Sequence, residues 1–394
     1  MVSVNISKNQ ITKYAERRIN ALRKWYAKDP IAISNEEIVH AFVEGTMALI
    51  HRATSLTAAH SARLVFEAVP ENPELKTKIL SQLRERCENQ PFFFSNTSSI
   101  PITEIARSAG LEGRVIGFHF YNPPAVQKLV ELISPNGVDN ALKAWSEELT
   151  TRLGKVTVHS NDVAGFIGNG HFLREISTAS ATVKQLAKET SLTEAIYCLN
   201  RVTQDWLVRP MGLFQLVDYV GLDVATSIAT IMSHHIDDLH IDVTEIDMLL
   251  ERGISGGQRS DGTQKPGFFE YDKNVPIAIY NIDNDEYETL QDAPWIARSL
   301  NTLGPLPEGH HPWKALARDK DKTAKIRSYF DTLKASDAQG CQLAREFLDQ
   351  SAHIIEGLVT DGVAHSIDDV ATVLMNGFYH LYSPTTIASK ELSS

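Results

Sequence analysis

Four residues of this sequence have types and positions suited to moving a proton. His119 sits in the apolar run Val115-Ile116-Gly117-Phe118-His119-Phe120, and Glu131 in the next one, Lys128-Leu129-Val130-Glu131-Leu132-Ile133. Ser98 belongs to a hydroxyl cluster, Ser95-Asn96-Thr97-Ser98-Ser99, that ends the earlier run Phe92-Phe93-Phe94. Asn169 follows in the segment after Asp162. An isolated histidine on an apolar strand is usually a core residue with one hydrogen bond. This one has a carboxylate one strand away, which can hold the imidazole in one tautomer and stabilise its charged form, as Asp does in a hydrolase triad. A hydroxyl and an amide add two polar groups for a substrate oxygen. The set suits taking the proton of an alcohol while hydride leaves the same carbon.

The elements that must position these residues alternate. Val2-Ser3-Val4-Asn5-Ile6 alternates like a short strand. Ile11, Tyr14, Ala15, Ile19, Leu22, Trp25 and Tyr26 recur at helical spacing to a stop near Asp29-Pro30, and a second helix is predicted from Glu36 to His51. The strand Leu64 to Pro70, a helix opening at Pro73 and the strand at Phe92 form a β-α-β unit with a crossover long enough for a parallel pair. Residues 1–160 thus read as an α/β domain ending in the strand Lys155 to His159, and ligands gather at the strand ends of such sheets. From Asp162, placed to cap a helix through Phe166 and Ile176, the pattern turns helical over 161–275. It breaks at Arg209-Pro210-Met211-Gly212. A Gly-rich loop, Gly253 to Gly267, precedes Phe268-Phe269-Glu270-Tyr271. Residues 276–338 form a mixed connecting region. Residues 339–394 read as a degenerate copy of the first helical block: Ser191-Leu192-Thr193-Glu194 leads to Pro210 and Ser366-Ile367-Asp368-Asp369 to Pro384 after nearly the same interval.

Composition narrows the function classes. A chain of 394 residues exceeds one compact core, so several domains are expected. The formal net charge of −11 argues against nucleic acid as the main partner. No apolar run approaches the ~20 residues of a membrane span, and the N-terminus lacks a signal pattern. Cys87, Cys198 and Cys341 show no metal or redox spacing, and an odd number fits a reducing cytoplasm. Two features are set aside. Gly165-Phe166-Ile167-Gly168-Asn169-Gly170 reverses the dinucleotide fingerprint, so a phosphate role is not expected. The cluster His234 to Asp242 fits no zinc spacing and reads as a solvated helix end, so no metal is predicted.

The order and spacing of SNTSS, HFYNP, KLVEL and DVAGFIGN resemble the L-3-hydroxyacyl-CoA dehydrogenases. The resemblance extends upstream through LVFEAVPENPELK and downstream through RPMGLFQLVDYVGLD and GFFEY, covering residues 1 to about 275. It implies a Rossmann-like α/β domain followed by all-α C-terminal domains, NAD as cofactor and a 3-hydroxyacyl-CoA as substrate. It casts His119 as catalytic base, Glu131 as its partner, and Ser98 and Asn169 as ligands of the substrate's 3-oxygen. Glu71, Lys76, Ser98 and Asn122 match positions that contact NAD. The tail resembles the doubled helical domain of multifunctional fatty-acid oxidation enzymes, which would let one chain be a monomer where simpler relatives pair. One departure stands out. No strand–G-x-G-x-x-G–helix unit is present, so the first βα unit of the Rossmann domain is expected to be missing, and Asn5 falls where the family carries an acidic ribose ligand. The rival reading, from another class, is a catalytically silent acyl-CoA-binding or scaffold relative that cannot hold NAD.

Overall fold

The structure is a computed structural model that describes residues 2–28 (side chains from Lys8 onward), 34–259, 262–291 and 293–388. The chain divides into two compact units, Met1–Ala62 with Gln82–Gln90, and Arg63–Ser81 with Pro91–Ser394.

The smaller unit is helical. α1 (Val2–Arg17), α2 (Ile19–Trp25) and α3 (Asn35–Ala48) gather around Ala15, Leu22 and Ile38. Ser34 opens α3 through a capping box, accepting from the Glu37 amide while the Glu37 carboxylate accepts from its own. The strand expected over Val2 to Ile6 is not formed. A lone strand needs a neighbour for its amides and carbonyls, whereas a helix closes those bonds within itself, and the helical period that follows at Ile11 and Ala15 carries back to Val2. The expected stop at Asp29-Pro30 lies outside the described residues.

The larger unit opens with the sheet that carries the site. Its elements are β1 (Leu64–Glu67), α4 (Pro73–Arg86), β2 (Phe92–Ser95), α5 (Ile102–Ala109), β3 (Val115–Phe120), β4 (Leu129–Ile133), α6 (Asn140–Arg152) and β5 (Val156–Ser160). The strands lie in sequence order, and among the described residues no strand pairs with the outer edge of β1. β1, β2 and β3 run parallel, joined by helical crossovers. β4 reverses against β3 because only a short loop joins them, and β5 returns parallel to β4. Asp162 does not cap the helix after it. Its carboxylate accepts from the Ile102 and Thr103 amides at 2.6 and 2.7 Å, holding the start of α5.

The rest is mostly helical: α7 (Phe166–Leu186), α8 (Leu192–Arg201), α9 (Leu213–Val220), α10 (Leu222–His235) and α11 (Thr244–Glu251). An antiparallel three-stranded sheet, β6 (Phe269–Asp272), β7 (Val275–Asn281) and β8 (Glu286–Thr289), interrupts the helices. α12 (Pro294–Leu303), α13 (Trp313–Leu316) and α14 (Lys322–Ala335) lead to α15 (Gln339–Thr360), α16 (Ile367–Gly377) and α17 (Pro384–Ala388). α7 and α15 are two long helices packed on one another. Each precedes a shorter serine-capped helix, with Ser191 accepting from the Glu194 amide and Ser366 from the Asp369 amide. α16 lies on β4 and β5, where Leu129, Val158, Val370 and Leu374 form one apolar cluster.

Candidate active site

The β3–β4 register decides the geometry of the site. His119 and Glu131 are directly opposed across the antiparallel pair, so their side chains leave the same face. Glu131 is fully buried, and its Oε2 meets His119 Nδ1 at 2.9 Å. Its Oε1 accepts from the Gly168 amide at 3.1 Å, in the first turn of α7. The carboxylate thus sits at a helix N-terminus, where the unpaired amides favour a negative charge. With Nδ1 turned to Glu131, His119 Nε2 makes no hydrogen bond among the described residues, and the ring borders a cavity of 510 Å³.

That cavity has a mixed lining. Ser98, His119, Asn122, Asn169 and Arg209 are among its polar residues, and Phe172, Met211, Leu213 and Leu216 among its apolar ones. Ser98 and Asn169 come together as the sequence predicts: the Asn169 side-chain amide donates to the Ser98 carbonyl at 2.8 Å. The turn holding Ser98 is organised from behind by Glu71. One Glu71 oxygen accepts from Thr97 Oγ1 at 2.6 Å, the Ser98 amide at 2.9 Å, the Ser99 amide at 3.0 Å and Ser99 Oγ at 2.8 Å. Burial opposes the Glu71 charge, but the Lys76 ammonium and these donors together hold its carboxyl below the ordinary range. Asn96 adds a second tie, its Oδ1 accepting from the Phe120 amide at 2.9 Å.

Two further implied cofactor ligands remain to be placed. Lys76 is fully buried, and its ammonium faces Glu67 Oε1 at 2.9 Å, the Val69 carbonyl at 3.2 Å and Glu71 Oε2 at 3.3 Å. Three acceptors face its three donors, so it fastens the β1 turn to α4. Asn5 falls within α1 rather than at a strand end, and its side chain lies outside the described residues. Among the described residues no cluster of histidine, cysteine or acidic side chains could hold a metal, and His235 instead pairs with Glu104 at 3.1 Å.

Several residues of the site escape sequence reasoning. Tyr121, just past β3, has its ring 5.0 Å from that of His119. Its hydroxyl presses against Gly168, where a Cβ would stand 1.7 Å from the oxygen, so only glycine fits. Burial first, then the Glu131 charge, push that phenol well above its ordinary range, and it stays neutral. Arg209 also lines the cavity and forms a buried fork with Glu175, two bonds of 2.9 Å. Ser351 of α15 donates to Glu175 at 2.6 Å, and His171 stands beside it. From the tail, Gly377, Phe378, Tyr379 and His380 close one side of the cavity. The only sequence signal for this cluster is the RPMG break.

Comparison with known proteins fits this geometry. A probable 3-hydroxybutyryl-CoA dehydrogenase of Bacillus subtilis is 31% identical over 262 residues, spanning 66% of this chain and 86% of its own. The chain belongs to the 3-hydroxyacyl-CoA dehydrogenase family. The family model described as the NAD binding domain of 3-hydroxyacyl-CoA dehydrogenase matches residues 2–163. The crystal structure of FadB2 of M. tuberculosis is similar over 68% of this chain and 86% of that one, at 29% identity and a TM-score of 0.54. A 3-hydroxybutyryl-CoA dehydrogenase from Escherichia coli shares the fold over 95% of this chain and 82% of that one, with a TM-score of 0.58 and 22% identity. The family is one of oxidoreductases with an NAD-binding domain, and the donor set here fits the nicotinamide end of that cofactor. Ser98 and Asn122 are polar groups on the His119 side of the cavity, and Glu71 fixes the turn that carries Ser98.

Proposed function

We propose that this chain oxidises 3-hydroxyacyl-CoA thioesters to the 3-oxoacyl-CoA, with His119 as general base. The observation that carries the reading is the buried Glu131–His119 pair, which leaves Nε2 free on a cavity lined by both polar and apolar side chains. His119 Nε2 takes the proton of the C3 hydroxyl, so the oxygen becomes a carbonyl as hydrogen leaves C3 with its electron pair. NAD, when bound, accepts that hydride. Glu131 holds Nδ1–H in place and balances the imidazolium formed. Ser98 and Asn169 orient the 3-oxygen, and Ser98 and Asn122 are the residues that would hold the nicotinamide end of NAD. Five donors of the Thr97–Ser99 turn point at one Glu71 oxygen, the Ser98 hydroxyl among them at 3.4 Å, which keeps the turn rigid.

The same reading gives residues 63–160 the cofactor side of the cavity, residues 161–275 the acyl side, and residues 339–394 a second helical block on the first. That α15 covers α7 within one chain supports a monomer, with a homodimer through the helical block as the alternative. Three free cysteines suit a reducing cytoplasm. The test is turnover of 3-hydroxybutyryl-CoA with NAD, read as NADH absorbance, in the wild type and in His119→Gln. A fall of ~10²–10⁴-fold is expected for loss of a general base. A folded His119→Gln enzyme that keeps most of its rate would show that another group takes the proton.

A further inference from the structure

The wall of the cavity contributed by the tail is not a passive cover. Gly377 ends α16 against Tyr121, where a Cβ would meet the ring at 2.7 Å, and its carbonyl accepts from Gln127 Nε2 at 3.0 Å. The tail is therefore held directly against the loop that follows the catalytic strand. The next residue, Phe378, turns its ring inward, 5.9 Å from Tyr121 and 6.2 Å from Phe172. Tyr121 in turn stands 5.0 Å from His119, so one aromatic step separates Phe378 from the proposed base. Tyr379 follows it in the cavity wall. Its φ of +58° is a left-handed conformation that a bulky residue adopts only when its surroundings enforce it. Here Trp313 enforces it, donating to the Tyr379 carbonyl at 2.8 Å with its ring 6.4 Å from that of Tyr379. This kink fixes the Phe378–Tyr379 segment against the cavity, which both residues line.

We propose that Phe378, supplied by the second helical block, is the residue that ends the acyl-chain subsite and so selects short-chain acyl-CoA. The inference rests on the acyl-CoA reading above. The cavity it borders is lined by the apolar Phe172, Met211, Leu213 and Leu216, which suit an aliphatic chain, and also by Arg209, Tyr219, Gln258 and His380. An aromatic ring across that path stops further methylenes from being buried. Each methylene that does become buried is worth about fourfold in affinity.

The test is calorimetric titration of the full chain with butyryl-CoA and decanoyl-CoA, which needs no turnover. The wild type is expected to favour butyryl-CoA. Phe378→Ala should raise the decanoyl-to-butyryl affinity ratio by at least ~10-fold, equivalent to two newly buried methylenes or more. Phe378→Leu, which retains most of the packing, guards against misfolding of the alanine variant and should move the ratio the same way by about threefold. Phe378→Trp should lower it. Normal binding of both thioesters with an unchanged ratio in the leucine variant, or equal weakening of both, overturns the assignment while leaving the acyl-CoA reading intact. No binding of either thioester by the wild type overturns that reading, and the assignment with it.

Discussion

Glu131 and His119 face each other because one antiparallel register places them there, and the charge on Glu131 is held by a helix N-terminus as well as by the imidazole. Glu131→Gln keeps the size of the side chain but loses the charge that balances the imidazolium. Its kcat is expected to fall ~10²–10⁴-fold with KM for the acyl-CoA little changed, as for an orienting carboxylate in a triad. A matching rise in KM would instead make Glu131 a binding residue. Gly168→Ala tests the same corner by steric means, since its new Cβ would displace the Tyr121 hydroxyl. The amide that Glu131 accepts from would shift with it, so kcat should drop while the chain stays folded by circular dichroism. The structure pairs His119 with Glu131 and Asn169 with Ser98. Of the site residues, His119 and Glu131 were picked out in the sequence by their place in neighbouring apolar strands, Ser98 by a hydroxyl-rich strand end and Asn169 by its place on the next helix and the family resemblance. Tyr121 and Gly168 were not, since their importance lies in one contact between a loop and a helix that no local pattern records.

Helices α7 and α15 meet over a buried charge. Glu175 forks onto Arg209 and accepts from Ser351, while His171 and His380 stand near it. Burial, the largest single influence, raises the Glu175 pKa. The Arg209 guanidinium leads the groups that overcome it and hold the carboxyl at about 2. A folded pKa below the ordinary carboxylate value adds stability that is present above about pH 4.5 and lost as pH falls towards 2. Both histidines are pushed down, chiefly by burial, so they stay neutral in the fold. The unfolded chain protonates them below about pH 6.5, which removes further stability as pH falls. Urea midpoints should therefore drop in two stages on acidification, and Glu175→Gln should flatten the more acidic one. Glu175→Ala, which strands the Arg209 charge, is expected to cost about 3–5 kcal/mol at neutral pH. A loss near zero would mean that water or a neighbouring group already compensates Arg209. The lengths of α7 and α15 and the serine caps that follow them were readable as helical period and Ser-x-x-acid signals. The reversed strand β4 was not, because direction depends on loop length and pairing, and the β6–β8 sheet hid in a stretch with mixed periodicity.

At the scale of the whole chain, the sequence placed a strand at Val2 where the structure has a helix, and the cause is non-local: a strand is stable only with a neighbour, and periodicity alone cannot supply one. The C-terminal end shows the opposite case, where a weak internal likeness pointed to a block with its own packing task. α15 lays Phe347, Ser351, Ile355 and Leu358 into the interior, against residues of α7 and of the sheet-facing α16. Removing residues 339–394 would uncover the apolar face of α7, with Phe172, Ile176 and Val183, and strand the Glu175–Arg209 pair without its Ser351 donor. A contiguous apolar stripe of that kind seeks another surface. The truncated chain is expected to dimerise or aggregate in light scattering, whereas the full chain scatters as a monomer. It should also lose selectivity among acyl-CoA thioesters, since Phe378 leaves with the tail. A full-length chain that runs as a tight homodimer would place the natural partner of α7 in a second molecule. A truncated chain that stays monomeric and folded would show that α15 is dispensable as a cover.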